Sequence, residues 1–137
     1  MIKEFKGKYF FLSNFYMADV EYNGIKYLNN EAAFQAQKCP ERAHEFTQLD
    51  PSQARRKGRK IKLRSDWENV RYGIMFDIVM NKFKQNPDLL EKLIKTGTSQ
   101  SVEGNTWGDT TWGVYRSIGK NYLGRILMQV RVLLGGK

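Results

Sequence analysis

Ser65-Asp66-Trp67-Glu68-Asn69-Val70-Arg71-Tyr72-Gly73-Ile74-Met75-Phe76-Asp77-Ile78-Val79-Met80-Asn81-Lys82-Phe83-Lys84-Gln85 is the stretch whose reading decides the fold. Trp67, Val70, Ile74, Ile78 and Val79 recur at helical spacing, and Met75, Phe76, Met80 and Phe83 widen the apolar face until it is nearly all-round. The pattern predicts a central buried helix ending around Gln85, opened by a capping box with Ser65 as cap and Glu68 at the third helical position. Further helices flank it. Asn86-Pro87 starts one through Leu89, Leu90, Leu93 and Ile94, with Thr96-Gly97 as its left-handed stop. Another follows Gly119, with Leu123, Ile126, Leu127, Val130 and Leu134 as its core stripe. Upstream, Asp50-Pro51 caps a helix that Gly58 weakens or ends, and a short helical piece begins near Pro40.

The amino-terminal part reads as irregular and β. Tyr9-Phe10-Phe11-Leu12 is an apolar run, and Asp19-Val20-Glu21-Tyr22 faces Ile25-Lys26-Tyr27-Leu28 across Asn23-Gly24. Asn-Gly between alternating segments signals a tight hairpin, because both central positions need positive φ. The expectation is a mainly α (α+β) fold: one compact multihelical domain over residues 1–137 with a small N-terminal β-hairpin. The length of 137 residues is about the modal size of a single domain. No apolar run approaches the ~20 residues of a membrane span, and residues 1–6 lack the apolar core of a signal peptide, so a cytoplasmic protein without a membrane partner is expected. Nothing in the sequence fixes its oligomeric state.

Composition narrows the chemistry. One cysteine, Cys39, and one histidine, His44, exclude disulfide frameworks and Cys/His zinc sites. Cys39 precedes Pro40 at a helix junction, where an inert, half-buried thiol is commoner than an activated one, and His44 lies in a polar run. Acid–base work therefore falls to Asp, Glu, Lys or Tyr, and nothing calls for a metal or cofactor. The net charge of +9 favours polyanionic or phosphorylated partners. Arg55, Arg56, Lys57, Arg59, Lys60, Lys62 and Arg64 concentrate it, either as a solvated helix face or as a phosphate or nucleic-acid surface.

The polar exceptions gather in three places. Asn29-Asn30-Glu31-Ala32-Ala33-Phe34-Gln35-Ala36-Gln37-Lys38 puts Glu31, Gln35 and Lys38 on one helical stripe while Phe34 and the alanines can pack inward. Taken alone, these ten residues read most simply as a surface helix with a long-range ion pair. Residues 101–115 form a long loop with Glu103, Asp109, Trp107 and Trp112, and long unstructured loops are often functional. Earlier, Ser13-Asn14-Phe15-Tyr16 reads as a connection capping the core or as a binding loop with Asn14 for hydrogen bonds and an aromatic for stacking. Carboxylates beside aromatics suit a sugar or nucleoside, with an anion stabilising an oxocarbenium-like centre or activating water. A lysine discharged by burial would instead attack an opened sugar aldehyde as a Schiff base.

Five blocks, in order across the chain, resemble the YbiA-like or NADAR family: Phe11-Leu12-Ser13-Asn14-Phe15; Asn30-Glu31 through Phe34-Gln35-Ala36-Gln37-Lys38; Trp67-Glu68 leading to Met75 and Lys82-Phe83; Val102-Glu103; and Asp109-Thr110-Thr111-Trp112-Gly113, followed by Gly119-Lys120-Asn121-Tyr122-Leu123-Gly124 and Leu127-Met128. The resemblance runs from about Phe10 to Leu134. It implies a YbiA-like, mainly helical domain and N-glycosidase chemistry, cleaving a base nitrogen from ribose phosphate or ADP-ribose. Two substrate classes follow from it: phosphoribosylated intermediates of riboflavin synthesis, and ADP-ribose on guanine in nucleic acid. It also implies Glu31, Lys38 and Asp109 as catalytic, Trp67 and Trp112 as pocket walls, and Asn14 and Asn121 as polar binders; Phe15, Gln35, Glu103 and Gly113 complete the substrate-binding set. Two positions depart from the family's pattern: Ala32, where a His is frequent, and Tyr115, where a second Gly is frequent. The alternative reading is a non-catalytic module binding ADP-ribose, another NAD-derived nucleotide, or nucleic acid.

Overall fold

A tight turn seeds the only paired strands among the described residues. The computed structural model of the protein describes residues 1–135; positions 136 and 137 of the expected domain lie outside them. Asn23 and Gly24 both take positive φ, 51° and 80°, which joins β1 (Met17–Tyr22) to β2 (Ile25–Asn29) as an antiparallel hairpin with Val20 opposite Tyr27. β2 runs straight into α1 (Asn30–Ala36), whose start is fixed by Asn29 Oδ1 accepting the Ala32 N–H at 2.8 Å. A 3-10 helix over Pro40–Phe46 leads to α2 (Pro51–Lys60), opened by a full capping box between Asp50 and Gln53. Then comes α3 (Trp67–Gln85), and its end holds the hairpin: Gln85 exchanges two hydrogen bonds with the Glu21 backbone, at 2.7 and 3.0 Å, and Asn86 Nδ2 donates to Asp19 O at 2.9 Å. These elements make one compact unit, Asn14–Asn86.

The second compact unit joins Met1–Ser13 to Pro87–Lys137. Ile2 donates to Gln100 O and accepts from the Val102 N–H, both at 2.8 Å, so the chain start pairs with the residues that follow α4 (Pro87–Lys95). Gly97, at φ 65°, ends α4 as expected. α5 (Tyr122–Gly135) buries Leu123, Ile126, Leu127 and Val130, and Arg131 Nη1 ties it to the turn after α4 through Thr96 Oγ1 at 2.8 Å and Ser99 O at 2.9 Å. The architecture is thus mainly helical with one small hairpin, the class expected. No helix of the described residues is long and apolar enough to cross a membrane.

Four local expectations are corrected. Residues 9–12 lie in a 3-10 helix (Gly7–Leu12), not in β structure; Gly7 at φ 57° turns the chain, and Tyr9 N–H closes on Lys6 O at 3.0 Å. Ser65 does not cap α3: Asp66 holds the cap position, and its carboxylate is occupied by Arg64 at 2.6 and 3.1 Å instead of by the helix N–H groups. α2 passes through Gly58 and continues to Lys60. The apolar face of α3 is one-sided, since only Trp67, Met75, Ile78, Val79, Lys82 and Phe83 are buried.

Lys82 is the exception in that list. Its ammonium lies 5.6 Å from the centre of the Tyr16 ring and 5.3 Å from that of Phe83, and burial pushes it down to about 7 from an ordinary 10.5. Below about pH 7 both folded and unfolded chains hold this proton. Between about 7 and 10.5 the unfolded chain holds it and the folded chain releases it, so the contribution of Lys82 to stability rises with pH. Denaturant titrations of wild type and Lys82→Met across pH 6 to 10 should therefore show wild type gaining stability relative to the variant as pH rises. A pH-independent difference would refute this.

Candidate functional site

Burial of α1 dictates where the first candidates sit. All seven of its residues are buried, Glu31 and Gln35 at 5% and 7% exposure, and a carboxylate there needs donors. Gln35 Nε2 donates to Glu31 Oε2 at 2.6 Å, and Arg55 Nε of α2 lies 3.9 Å from the same oxygen. The Arg55 guanidinium also lies 4.6 Å from the centre of the Phe15 ring. The stripe is shorter than expected: α1 ends at Ala36, and Lys38 occupies the turn beyond, with its N–H on Gln35 O at 3.2 Å and its carbonyl accepting from Arg64 N–H at 2.9 Å. Its Nζ lies 6.0 Å from the centre of the Trp67 ring, which is buried against Phe34 at 5.0 Å between centres. Burial lowers the Lys38 ammonium from its ordinary value; the Glu31 charge opposes that, and Arg59 and Arg55 add to it.

Asn14 serves this arrangement as scaffold. Its carbonyl accepts the Glu31 N–H at 3.1 Å, its Oδ1 accepts from Asn30 at 3.3 Å, and its Nδ2 contacts Met75 Sδ at 3.4 Å. Ala32 has no exposed surface. Asn14, Phe15, Glu31, Gln35, Lys38 and Trp67 thus gather within one unit, together with Arg55, which the residue pattern singled out only as part of the basic run. Along that run, Lys57 pairs with Glu45 at 2.7 Å and Arg64 with Asp66, while Arg56, Arg59, Lys60 and Lys62 are exposed. Glu45 is held down to about 2 by hydrogen bonds from Arg42 and Lys57.

The remaining candidates belong to the other unit, in the loop before α5. Asp109 Oδ1 accepts the Thr111 and Trp112 N–H groups, each at 3.0 Å, as in an Asx turn. Asn105 braces the same loop, donating to Asp109 O at 2.8 Å and accepting the Asp109 N–H at 3.0 Å. Asn121, at φ 53°, spends its amide on the backbone: Oδ1 accepts the Glu103 N–H at 3.0 Å, and Nδ2 donates to Ser101 O at 2.9 Å. Trp112 packs edge-on against Tyr122 at 5.9 Å. Gly113 is required by space, since a β-carbon would lie 2.8 Å from Asn105 Nδ2 and would strike Glu103 O. Tyr115 forms a bridge with Ile118.

Other groups have plainer roles. The Cys39 thiol donates to Glu41 at 3.2 Å, and that hydrogen bond and burial raise it, so it is a poor nucleophile. A depression of about 460 Å³ at the base of the hairpin, lined by Asp19, Val20, Glu21, Lys26, Gln85 and Asn86, contains none of the candidates. Among the described residues no three His, Cys, Asp or Glu side chains are placed to hold a metal ion. Lys82, between Asn81 and Phe83, and Arg131 are buried ionisable residues to which the residue pattern gave no role of their own; the charge of each hides its burial from a hydrophobicity reading.

Residues 2–135 match the profile of the NADAR domain. A riboflavin biosynthesis protein of Vibrio vulnificus (strain YJ016) is 36% identical over 130 residues, covering 88% of this chain and 34% of that protein. The chloroplastic riboflavin biosynthesis protein PYRR of Zea mays is 37% identical over 95 residues, covering 69% of the chain and 14% of that protein. N-glycosidase YbiA of Escherichia coli (strain K12) is 34% identical over 125 residues, 87% of this chain and 78% of YbiA. The chain therefore spans about a third of its Vibrio relative and most of YbiA. The NMR structure of the E. coli protein YbiA superposes with a TM-score of 0.84 at 31% identity, covering 98% of this chain and 87% of that one.

The Asp109 geometry separates its structural from its chemical role. Asp109→Ala removes the acceptor of two backbone N–H groups and should cost about 1–3 kcal/mol, whereas Asp109→Asn keeps that acceptor and should unfold near wild type. Equal loss of stability in chemical denaturation of both variants would contradict the turn's dependence on Oδ1.

Proposed function

The chain belongs to the NADAR domain family, and we propose that it is a hydrolase of N-glycosidic bonds, joining a base nitrogen to ribose phosphate or ADP-ribose. The observation that carries this reading is the buried Glu31 carboxylate, held by Gln35 and Arg55, in the same unit as a Lys38 amine that desolvation makes easier to discharge. An anion, and an amine beside the Trp67 ring that burial makes easier to discharge, are the groups such a cleavage needs. The printed names of the relatives, N-glycosidase and riboflavin biosynthesis protein, support the same reaction class.

In the proposed reaction the C1′–O4′ bond breaks, its electron pair passing to O4′, which takes a proton, as the base nitrogen shares its lone pair with C1′. The neutral Lys38 amine adds to C1′ and loses a proton, and the C1′–N bond breaks with its electron pair leaving on the base nitrogen, which takes a proton. Water then adds to the resulting imine carbon, and the C–Nζ bond breaks to return free lysine and the sugar aldehyde. Glu31 stabilises the cationic centre and orients water. Asp109 is proposed as a further catalytic residue through the carboxylate oxygen that does not cap the turn. Phe15 offers its ring to the base while the buried Trp67 backs the Lys38 amine, and the exposed Arg56, Arg59, Lys60 and Lys62 favour a substrate on nucleic acid over a free phosphoribosyl compound.

Borohydride added during turnover should leave a ribosyl adduct on wild type and none on Lys38→Arg; normal turnover without an adduct would assign the step to direct attack by water. Glu31→Gln should fold normally and lose turnover, where a pure binding module would be little changed. Substrate choice is read by comparing ADP-ribosyl-guanosine oligonucleotides with phosphoribosylated riboflavin intermediates. Oligonucleotide affinity should fall with salt by a log–log slope of about 0.7 per phosphate engaged. Cleavage of the riboflavin intermediates alone would remove the nucleic-acid preference.

A further inference from the structure

Helix α2 carries a glycine where an alanine would favour the helix, and its surroundings account for it. Gly58 is buried, and a β-carbon there would collide with Gln35 Oε1 and lie 2.7 Å from Gln35 Cδ. Gln35 is itself buried, at 7% exposure, on a helix whose every residue is buried. Its amide is therefore clamped between two groups: Nε2 on Glu31 Oε2 at 2.6 Å, and Oε1 against the α-carbon of Gly58. That Oε1 is buried and meets no hydrogen-bond donor among the described residues. An amide held with one end unsatisfied costs stability, so its other end is being kept in place by something worth more. The hydrogen bond to an ionised carboxylate fits, since such bonds are about twice as strong as neutral ones. A flipped amide would set two oxygens against each other and lose it.

We propose that Gln35 is a positioning residue, not a substrate ligand: it holds the Glu31 carboxylate in one orientation for the reaction, and Gly58 sets that orientation by leaving the Gln35 amide its room. The inference rests on the catalytic role given to Glu31 above. Arg55, on the same helix as Gly58, lies 3.9 Å from the same Glu31 oxygen, so α2 fixes the carboxylate from two sides. Any change that crowds or removes the Gln35 amide lets Glu31 swing without removing a group that touches substrate.

The test measures kcat and KM for Gln35→Met, Gln35→Ala, Gly58→Ala and Gln35→Ala/Gly58→Ala, with Glu31→Gln as reference. The assay uses an ADP-ribosyl-guanosine oligonucleotide and a phosphoribosylated riboflavin intermediate. Gln35→Met keeps the side chain's bulk and loses the donor, so kcat should fall by up to about 100-fold with KM unchanged, the scale of a misplaced catalytic group. Gly58→Ala should reproduce that fall, and most of its effect should vanish once Gln35 is already Ala, because the β-carbon then meets no amide and only the β-carbon of residue 35, 3.2 Å away. A wild-type kcat in Gln35→Met, or a Gly58→Ala effect that persists in full in the Gln35→Ala background, would overturn the proposal. If Gly58→Ala alone does not fold, the Gln35 variants and the double variant still decide it. Wild-type turnover in Glu31→Gln would instead sink the functional reading; loss there with Gln35→Met unaffected sinks only this inference.

Discussion

A carboxylate taken out of water has to be given donors, and the requirement of Glu31 organises the unit in which it sits. α1 is only seven residues long and buries all of them, so nothing on it reaches bulk solvent freely. Its start is therefore pinned from outside, by Asn29 at the cap and by Asn14 on the Glu31 N–H. Its middle supplies Gln35 to Glu31, and α2 supplies Arg55 from across the packing contact. Helix, cap, neighbour and glycine all serve one oxygen pair. Breaking a buried charged hydrogen bond from one side is expensive, because the partner left behind stays buried.

The same low-dielectric surroundings act on the amines. Lys38 stands at the edge of the buried region and is lowered by desolvation while Glu31 pulls the other way; Lys82, fully inside, is pushed by burial down to about 7. Two lysines in one unit thus come to differ in chemistry through the depth of their burial and the charges around Lys38. The loop of the other unit follows a different logic. Asn105, Asp109 and Asn121 direct side-chain oxygens and amides at the backbone, which gives a segment without regular structure a defined shape.

Much of this was legible in the residues, and the failures have physical causes. Asn23-Gly24 announced the hairpin because positive φ at both positions has few other uses, and Asp50 with Gln53 marked a helix start. Ser65 looked like a cap until Arg64 claimed Asp66, a choice between local partners that spacing does not decide. Gly58 read as a helix breaker because its reason is tertiary: the amide it accommodates lies 23 positions earlier, on another helix. Lys82 carries a charge that argues against burial, and its burial comes from the face that α3 turns inward, which also carries Ile78, Val79 and Phe83. Asn14 and Asn121, which the family pattern offered as substrate binders, are engaged by the protein's own groups in this structure.

Glu31 and Lys38 form an electrostatically coupled pair in a partly desolvated setting. Heteronuclear NMR of the Lys38 ¹⁵Nζ signal, titrated in wild type and in Glu31→Gln, measures that coupling directly. The midpoint should lie below the ordinary lysine value in wild type and lower still in Glu31→Gln, because the Glu31 charge helps hold the proton on. An ordinary midpoint that the substitution leaves in place would contradict it.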